Sequence, residues 1–248
     1  MLLGDSFHPG GQRLTARLGE HLGLAPGVRV LDVASGKGES AISLAGQFGC
    51  EVVGVDFGAH TVREANSSVT ATQVAHLVSF VEGDAERMDF PDASFDAIVC
   101  ECAFCTFPDK RAAASEFARV LRPGGRVGMS DLTRSGPLPP DLDGLLAWIA
   151  CIADARPVGE YAGYLEGAGF EVTTIEAHDN ALAEMARDVQ GRVLGLEVMV
   201  KLKKLDFPGA DFEQARQLAR AAAAAIDQGL LGYSLMVARL PTGESACF

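Results

Sequence analysis

The chain has 248 residues, of which 48% are hydrophobic. It carries 21 Lys and Arg against 33 Asp and Glu, so its formal net charge is −12. This composition excludes the disordered and fibrous classes, and its negative charge disfavours nonspecific binding to nucleic acid or anionic lipid. We therefore expect a small-molecule partner, with neither nucleic acid nor a membrane as a partner.

The sequence carries no signals for export or for membrane insertion. Residues 1–5 lack the basic region and apolar core of a signal peptide, and no run of eighteen residues is free of charge, glycine and proline. These features predict a cytoplasmic protein, in which the six cysteines stay reduced. No group of residues predicts a resident metal.

The first predicted element is a helical arm over residues 1–24. Leu14, Leu18 and Leu22 recur at a spacing of four, which predicts a helix against the sheet edge or over the site. Between residues 28 and 130, short apolar runs alternate with helical patterns, which predicts strands joined by crossover helices in a parallel sheet. The predicted strands are 28–33, 52–56, 78–82, 95–100 and 126–130. A helix over 110–121 is predicted to end at the Arg122-Pro123-Gly124-Gly125 segment.

The second half of the chain has a different pattern of predicted elements, with long helices between its strands. A lid is predicted over 134–165, a helix over 159–168, and strands over 171–175 and 233–240. The residues between these two strands look helical, which predicts an insertion over 180–230, with Met185 and Met199 in helical core. Residues 1–248 are thus expected to form a single domain.

A glycine turn follows the first predicted strand. The segment 32–38 brings Asp32, Gly36 and Gly38 to the start of a helix, where glycines allow close backbone approach and helix amides face a ligand. With Ala41, the glycines also satisfy the dinucleotide fingerprint, and Asp56 lies where a ribose-binding acid is expected in either case. A pyrophosphate on this turn would be repelled by Asp32, whereas an ammonium and a sulfonium would be attracted. The turn therefore favours S-adenosylmethionine over a nicotinamide cofactor.

A second set of residues suits adenine. After the third predicted strand, Asp84 supplies a carboxylate acceptor and Ala85 a backbone amide donor, the two contacts that an adenine edge needs. Phe57 follows Asp56 directly and is placed to lie against the adenine face.

These motifs together resemble the class I S-adenosylmethionine-dependent methyltransferases, of the small-molecule kind that includes the ubiquinone/menaquinone and arsenite methyltransferases. The resemblance covers about residues 8–175 and the final strand. It implies a Rossmann-like, doubly wound α/β fold with a seven-stranded sheet whose last strand is antiparallel.

The resemblance also implies roles for the motif residues. Asp32, Gly36 and Gly38 hold the methionine end of the cofactor, and Asp56 holds the ribose hydroxyls. Asp84 and Ala85 hold adenine. The chain departs from the pattern at Ala34, which occupies a position that is often glycine in such proteins but still belongs to the expected cofactor site.

The acceptor site is expected over the carboxyl ends of the fourth and fifth strands. His8 is a candidate base or orienting donor, although a turn with an exposed histidine explains it equally well. Glu101 is placed to reach the methionine amino group or the acceptor. The expected pocket is completed by Phe7 and by Trp148, Cys151 and Tyr161 of the lid. A mostly apolar lid suits an organic O-, N- or C-nucleophile, and the alanine-rich helices equally suit a homodimer contact.

Cysteines suggest an alternative acceptor. Cys102 and Cys105 stand beside Glu101, and with Cys151 they would bind a thiophilic species such as As(III), which makes an arsenite or thiol methyltransferase the alternative within this class. The competing explanation is that these cysteines are small buried apolar residues, which applies most to Cys100, on the strand itself. Outside the class, an NAD-dependent oxidoreductase and a cofactor-binding module without catalysis remain alternatives.

Overall fold

The structure is a computed structural model that describes residues 8–142, 151–206 and 211–242. Its helices are α1 (Gly11–Leu22), α2 (Glu39–Phe48), α3 (Ala59–Val69), α4 (Lys110–Val120), α5 (Val158–Gly167), α6 (Asp179–Lys201) and α7 (Phe212–Asp227). Its strands are β1 (Arg29–Val33), β2 (Glu51–Asp56), β3 (Val78–Glu82), β4 (Phe95–Glu101), β5 (Leu121–Arg134), β6 (Glu171–Ala177) and β7 (Leu231–Arg239).

The strands form one seven-stranded sheet in the order β3-β2-β1-β4-β5-β7-β6. The first five strands pair in parallel, whereas β7 runs antiparallel to both β5 and β6. The predicted fold class, with its antiparallel last strand, is confirmed. The strand order reverses between β1 and β4, and ligands of such sheets bind outside the carboxyl ends of the strands at this point.

Strand β5 is longer than its predicted 126–130. It begins at Leu121, directly after α4, where Leu121 pairs with Phe95, and the register then shifts before Arg126 pairs with Ala97. From Arg126 onward, every residue of β5 pairs with β7. The proline-glycine segment therefore becomes an irregularity within a strand, because partners on both sides keep the chain extended.

Helices cover both faces of the sheet. On one face, α1, α2 and α3 bury Leu18, Leu44 and Ala65 against strand residues such as Val30. On the other face, α4 and α5 pack against the strands through residues that include Phe117. Because both faces are covered, the central strands are apolar almost throughout, as expected for parallel sheets.

The predicted N-terminal helix is α1, which lies over a sheet face and not at its edge. Its Leu18 packs against Gly128 of β5, where an added Cβ would come within 2.7 Å of the leucine. This close approach holds the start of the helix, next to His8, above the carboxyl ends of β4 and β5.

The predicted helical insertion between the last two strands is present as α6 and α7. The expectation of a core position is wrong for Met199, which is 37% exposed. Met185 lines a cavity, as described below. Among the described residues, no helix has both the length and the apolar character that crossing a bilayer requires.

Candidate active site

The turn that follows β1 is shaped by glycine. Gly36 and Gly38 have φ angles of 53° and 84°, in the left-handed region that glycine adopts without strain. Gly38 also lies against the ring of Phe80, with no room for a side chain. The turn is thereby held open at the N-terminus of α2, whose first amides point toward the carboxyl ends of the strands.

Asp56, at the end of β2, braces this turn. Its Oδ2 accepts a hydrogen bond from the backbone N–H of Gly36 at 2.9 Å, and its Oδ1 accepts one from Gly58 at 2.9 Å. Each carboxylate oxygen has a second lone pair for a ligand hydroxyl. The expected ribose-binding acid therefore also fixes the glycine turn.

A first hollow, of about 330 Å³, lies beside Asp56, and we call it the nucleoside hollow. Its lining includes the predicted adenine-site residues Phe57, Asp84 and Ala85. The Phe57 side chain is 80% exposed, although it is large and apolar. An exposed aromatic ring beside a hollow provides a surface on which a flat heterocycle can stack.

A second hollow, of about 670 Å³, meets the first at Ala34, and we call it the long cavity. It starts at the glycine turn and passes His8 and Glu101 before it enters an apolar space between α6 and α7. Its volume lies within the range of about 300–1,000 Å³ that is usual for small-ligand sites.

Two buried polar atoms at the start of the long cavity lack a hydrogen-bond partner among the described residues. They are Oδ2 of Asp32 and Oγ of Ser35. Burial raises the pKa of Asp32 well above its ordinary value, and the nearby carboxylates of Glu101 and Asp56 raise it further. A cationic ligand would relieve this cost, because it would supply both a donor and the opposite charge.

Glu101 lies at the centre of a polar network at the end of β4. Its Oε2 accepts hydrogen bonds from Oγ1 of Thr15 at 3.0 Å and from Oγ of Ser40 at 2.7 Å. Its Oε1 lies 3.3 Å from Oγ of Ser130, which in turn accepts from the hydroxyl of Tyr233 at 2.9 Å. The carboxylate is thus held by groups from α1, α2, β5 and β7.

His8 joins this network from the N-terminal side. Its Nε2 lies 3.2 Å from Oγ1 of Thr15 and 3.6 Å from Oε2 of Glu101, and its Nδ1 lies 3.3 Å from the backbone oxygen of Pro9. A carbonyl oxygen only accepts, so Nδ1 carries a proton in this arrangement. The side chain of His8 is 10% exposed, so the imidazole is largely covered, unlike that of a surface histidine.

The predicted thiols converge at the wall of the long cavity. Cys102 and Cys151 line it, and both have left-handed backbones, with φ angles of 54° and 61°. Hydrogen bonds to Cys102 and Cys105 lower the pKa of Cys151 to about 4. Cys105 itself is fully buried behind the wall, where its backbone N–H donates to Asp131 at 2.8 Å.

Asp131 is a buried acid of β5 that was not anticipated. Burial raises its pKa to about 7, although the amides of Cys105 and Leu132 donate to its carboxylate. Asp131 lines neither hollow.

The structure brings most of the expected site residues together, but not all of them. Tyr161 is 1% exposed and lies in the core beneath β5, where its hydroxyl donates to the backbone oxygen of Leu132 at 3.1 Å. It does not reach the long cavity, because its hydroxyl also accepts from the N–H of Arg156 and ties the lid to the sheet. Phe7 and Trp148, together with residues 143–150 of the predicted lid, lie outside the described residues.

Sequence reasoning missed the hydroxyl groups around Glu101 and the apolar lining from α6 and α7. Thr15 offered a signal, since it is a buried polar residue among the buried leucines of α1. Ser40 stands within the glycine fingerprint itself. Tyr233 and Ser130 come from strands that are distant in sequence, so only the sheet brings them together.

Comparisons with known proteins agree with this geometry. Residues 31–129 match a family described as "Methyltransferase domain". The chain is 32% identical over 242 residues to 27-O-demethylrifamycin SV methyltransferase from Amycolatopsis mediterranei, which covers 92% of this chain and 83% of that protein. It is also 33% identical over 164 residues to an arsenite methyltransferase from Halobacterium salinarum, which covers 64% of this chain and 41% of that protein.

A solved structure shares the fold. It is phosphoethanolamine N-methyltransferase 2 from Haemonchus contortus in complex with S-adenosyl-L-methionine, with a TM-score of 0.80 at 20% identity over 97% of this chain and 55% of that chain. The chain spans only about half the length of several of the curated relatives that it matches.

Proposed function

The chain belongs to the class I S-adenosylmethionine-dependent methyltransferases, and on this premise we propose that it methylates a small-molecule acceptor in the long cavity. One observation carries the proposal: the nucleoside hollow and the long cavity meet at the glycine turn, beside a buried carboxylate whose Oδ2 has no hydrogen-bond partner among the described residues. The turn thus separates a place for a nucleoside from a place for an acceptor.

The residues present fit the cofactor. Oδ2 of Asp32 and Oγ of Ser35, which have no partner in the described part of the chain, can accept from an ammonium group, and Asp56 offers its remaining lone pairs to ribose hydroxyls. Phe57 and Asp84 face the space expected for adenine. When bound, S-adenosylmethionine supplies an electrophilic methyl group on a sulfonium.

We assign His8 the role of general base when the acceptor carries a proton. With its own proton on Nδ1, it would take the acceptor's proton at Nε2, which would leave the acceptor atom with a free electron pair for the methyl group that the cofactor supplies. The imidazolium that results lies 3.6 Å from the carboxylate of Glu101, which stabilises it. Positioning within the cavity supplies the remainder of the rate acceleration.

An oxygen nucleophile is the favoured acceptor atom. The relative from Amycolatopsis mediterranei, which covers most of this chain, is named for methylation at an oxygen. The comparisons do not favour the metalloid or thiol alternative, nor an oxidoreductase. Cys102 and Cys151 are accordingly proposed as pocket walls and not as ligands.

The domain organisation, the cellular location and the partners are also part of the proposal. We propose one methyltransferase domain over 1–248, with the arm over 1–24, the lid over 134–165 and the insertion over 180–230. Cytoplasmic location, a homodimer and the lack of a nucleic-acid partner stay predictions.

Calorimetry tests cofactor binding. S-adenosylmethionine and S-adenosylhomocysteine are expected to bind at micromolar strength, and Phe57→Ala is expected to weaken both about tenfold through loss of stacking on an exposed ring. Leu202→Ala is the matched control, because Leu202 is 60% exposed and lines neither hollow. Tighter binding of NADH than of S-adenosylhomocysteine would overturn the proposal.

Kinetics test the base. With a phenolic acceptor, formation of S-adenosylhomocysteine by His8→Gln is expected to fall at least a hundredfold in kcat at pH 7 and to recover as the pH approaches about 10, where the phenol ionises without a base. Binding of S-adenosylhomocysteine is expected to stay unchanged. An unaltered pH profile would remove His8 from the proton transfer.

A further inference from the structure

The inner part of the long cavity is built by two helices with the same pattern of lining residues. In each helix, the lining positions are separated by three, one, three and four residues, which places them on one face. The lining residues of α6 are Leu182, Met185, Ala186, Val189 and Val193, and those of α7 are Ala215, Leu218, Ala219, Ala222 and Ile226. The two apolar faces therefore oppose each other across the cavity.

Contacts between the helices fix their orientation. The side-chain amide of Gln190 donates to the backbone oxygen of Ala219 at 3.0 Å, and Arg216 pairs with Glu197 at 2.7 Å. Since higher numbers on α6 face lower numbers on α7, the helices are antiparallel. The carboxylate of Asp179 accepts from the N–H of Tyr233 at 2.9 Å and anchors the start of α6 to the sheet.

These contacts give the apolar space an inner and an outer end. Leu182 and Ile226 mark the inner end, near the sheet residues Leu132 and Leu231, which also line the cavity. Val193 and Ala215 mark the outer end. Leu182 and Val193 are eleven positions apart, which corresponds to about 16 Å of helix, so the space is elongated.

Small side chains keep this space open. Ala219 and Ala222 are only partly buried although both point at the opposing helix, because their remaining surface faces the cavity. Larger residues at these positions would pack the two helices into an ordinary apolar core. An apolar space of this size favours an apolar occupant, since burial of apolar surface is what stabilises it.

We propose that the methyl acceptor is an amphipathic molecule with a weakly acidic hydroxyl at one end and an elongated apolar body. The hydroxyl lies at His8 and Glu101, where polar groups line the long cavity, and the apolar body extends between α6 and α7. The inference rests on the proposed function and deepens it, because it names the acceptor class for that site.

A homologous series of probes tests the acceptor class without knowledge of the natural substrate. Phenol, 4-propylphenol, 4-hexylphenol and 4-octylphenol are titrated calorimetrically into the full chain saturated with S-adenosylhomocysteine. Affinity is expected to rise by up to about fourfold for each methylene, the equivalent of about 0.8 kcal/mol, until the space is filled. Equal affinity for phenol and 4-octylphenol would overturn the inference.

A variant of α7 locates the apolar body. Ala219→Phe fills the space between the helices and is expected to weaken binding of 4-octylphenol at least tenfold, with phenol and S-adenosylhomocysteine bound as before. Ala224→Phe is the matched control, because Ala224 is exposed on the same helix. Unchanged binding of 4-octylphenol by Ala219→Phe would place the apolar body elsewhere and overturn the inference.

The outcomes separate this inference from the proposed function. If S-adenosylhomocysteine does not bind the wild-type chain, the proposed function fails. If it binds and the phenol series shows no dependence on length, only the acceptor class fails. Should Ala219→Phe not fold, the length series in the wild-type chain decides alone.

Discussion

Replacing Asp32 by asparagine is expected to stabilise the folded protein and to lower its affinity for the cofactor. Asp32 is 2% exposed, and its Oδ2 has no hydrogen-bond partner among the described residues. Burial, followed by the charges of Glu101 and Asp56, raises its pKa. Asparagine has nearly the same shape but no charge, so it removes a repulsion that only a cationic ligand would otherwise relieve.

The two effects have opposite signs and comparable sizes. An unsatisfied buried group costs about 1–3 kcal/mol, and more when it is charged. Asparagine keeps an unpartnered polar atom but removes the charge, so Asp32→Asn is expected to raise the free energy of unfolding by about 1 kcal/mol or more at a pH where Asp32 is ionised. A charge-assisted hydrogen bond to an ammonium contributes about 1.5–3 kcal/mol, so affinity for S-adenosylhomocysteine is expected to fall roughly 10- to 150-fold.

The stability effect also depends on pH in a defined direction. The folded-state pKa of Asp32 is raised above the ordinary value of 3.8, so the folded protein favours the protonated form. The wild-type chain therefore loses stability as pH rises from about 3.8 toward the folded-state pKa, whereas Asp32→Asn lacks this loss. The gain in stability of the variant is expected to be larger at pH 7 than at pH 4.

Urea unfolding and calorimetry with S-adenosylhomocysteine measure both effects on the same samples. Asp131→Asn is the matched control, since Asp131 is an equally buried acid that lines neither hollow. Its affinity for S-adenosylhomocysteine is expected to stay within twofold of wild type. If Asp32→Asn lost stability and affinity together, or kept full affinity, the assignment of Asp32 to the ammonium group would be wrong.

Three further predictions concern the turn and the buried acid. Gly38→Ala is expected to lower the free energy of unfolding by at least about 2 kcal/mol. An alanine at φ 84° has a strained backbone, and its Cβ clashes with the ring of Phe80. A change below about 0.5 kcal/mol in urea unfolding would contradict this prediction. Ala34→Gly is expected to raise the free energy of unfolding by about 0.5–1 kcal/mol. Alanine at φ 57° is strained, and relief of this strain outweighs the greater conformational entropy of the unfolded glycine variant. A loss of stability in thermal unfolding would refute this prediction. Asp131 has a pKa of about 7 in the folded protein against an ordinary 3.8, so folding favours its protonated form. Between pH 5.5 and 8, the free energy of unfolding of the wild-type chain is expected to fall by about 2 kcal/mol, a loss that Asp131→Asn does not show. Parallel pH profiles of stability for the two proteins would disprove the shift.

The cofactor side of the site could be predicted because its signals are local. Asp32 and Asp56 lie at the ends of β1 and β2, Asp84 comes two residues after β3, and the carboxyl ends of parallel strands meet at one edge of a sheet. Glycines at a strand-to-helix turn need no distant partner to adopt their conformation. A pattern in sequence therefore sufficed to place these residues around two hollows that meet at Ala34.

The acceptor side depended on packing that no local pattern encodes. Helical periodicity predicts that Met185 and Val189 share a face of α6, but it does not say whether that face meets a core or a cavity. The same reasoning fails for Met199, which is 37% exposed, because helical spacing does not say which face of a helix other elements cover. Tyr161 shows the reverse error, since a residue expected in the pocket is held in the core by the backbone of Leu132.

The sequence by itself determined the class of fold, the turn and the acids that select a positively charged nucleoside, because each rests on residues close together along the chain. Only the tertiary structure decided that Thr15, Ser40, Ser130 and Tyr233 surround Glu101, since they come from four separate elements. Only the tertiary structure also decided that the apolar faces of α6 and α7 are separated by the inner part of the long cavity. The spacing between packed elements depends on the sum of many distant contacts, whereas a turn depends on its own few residues.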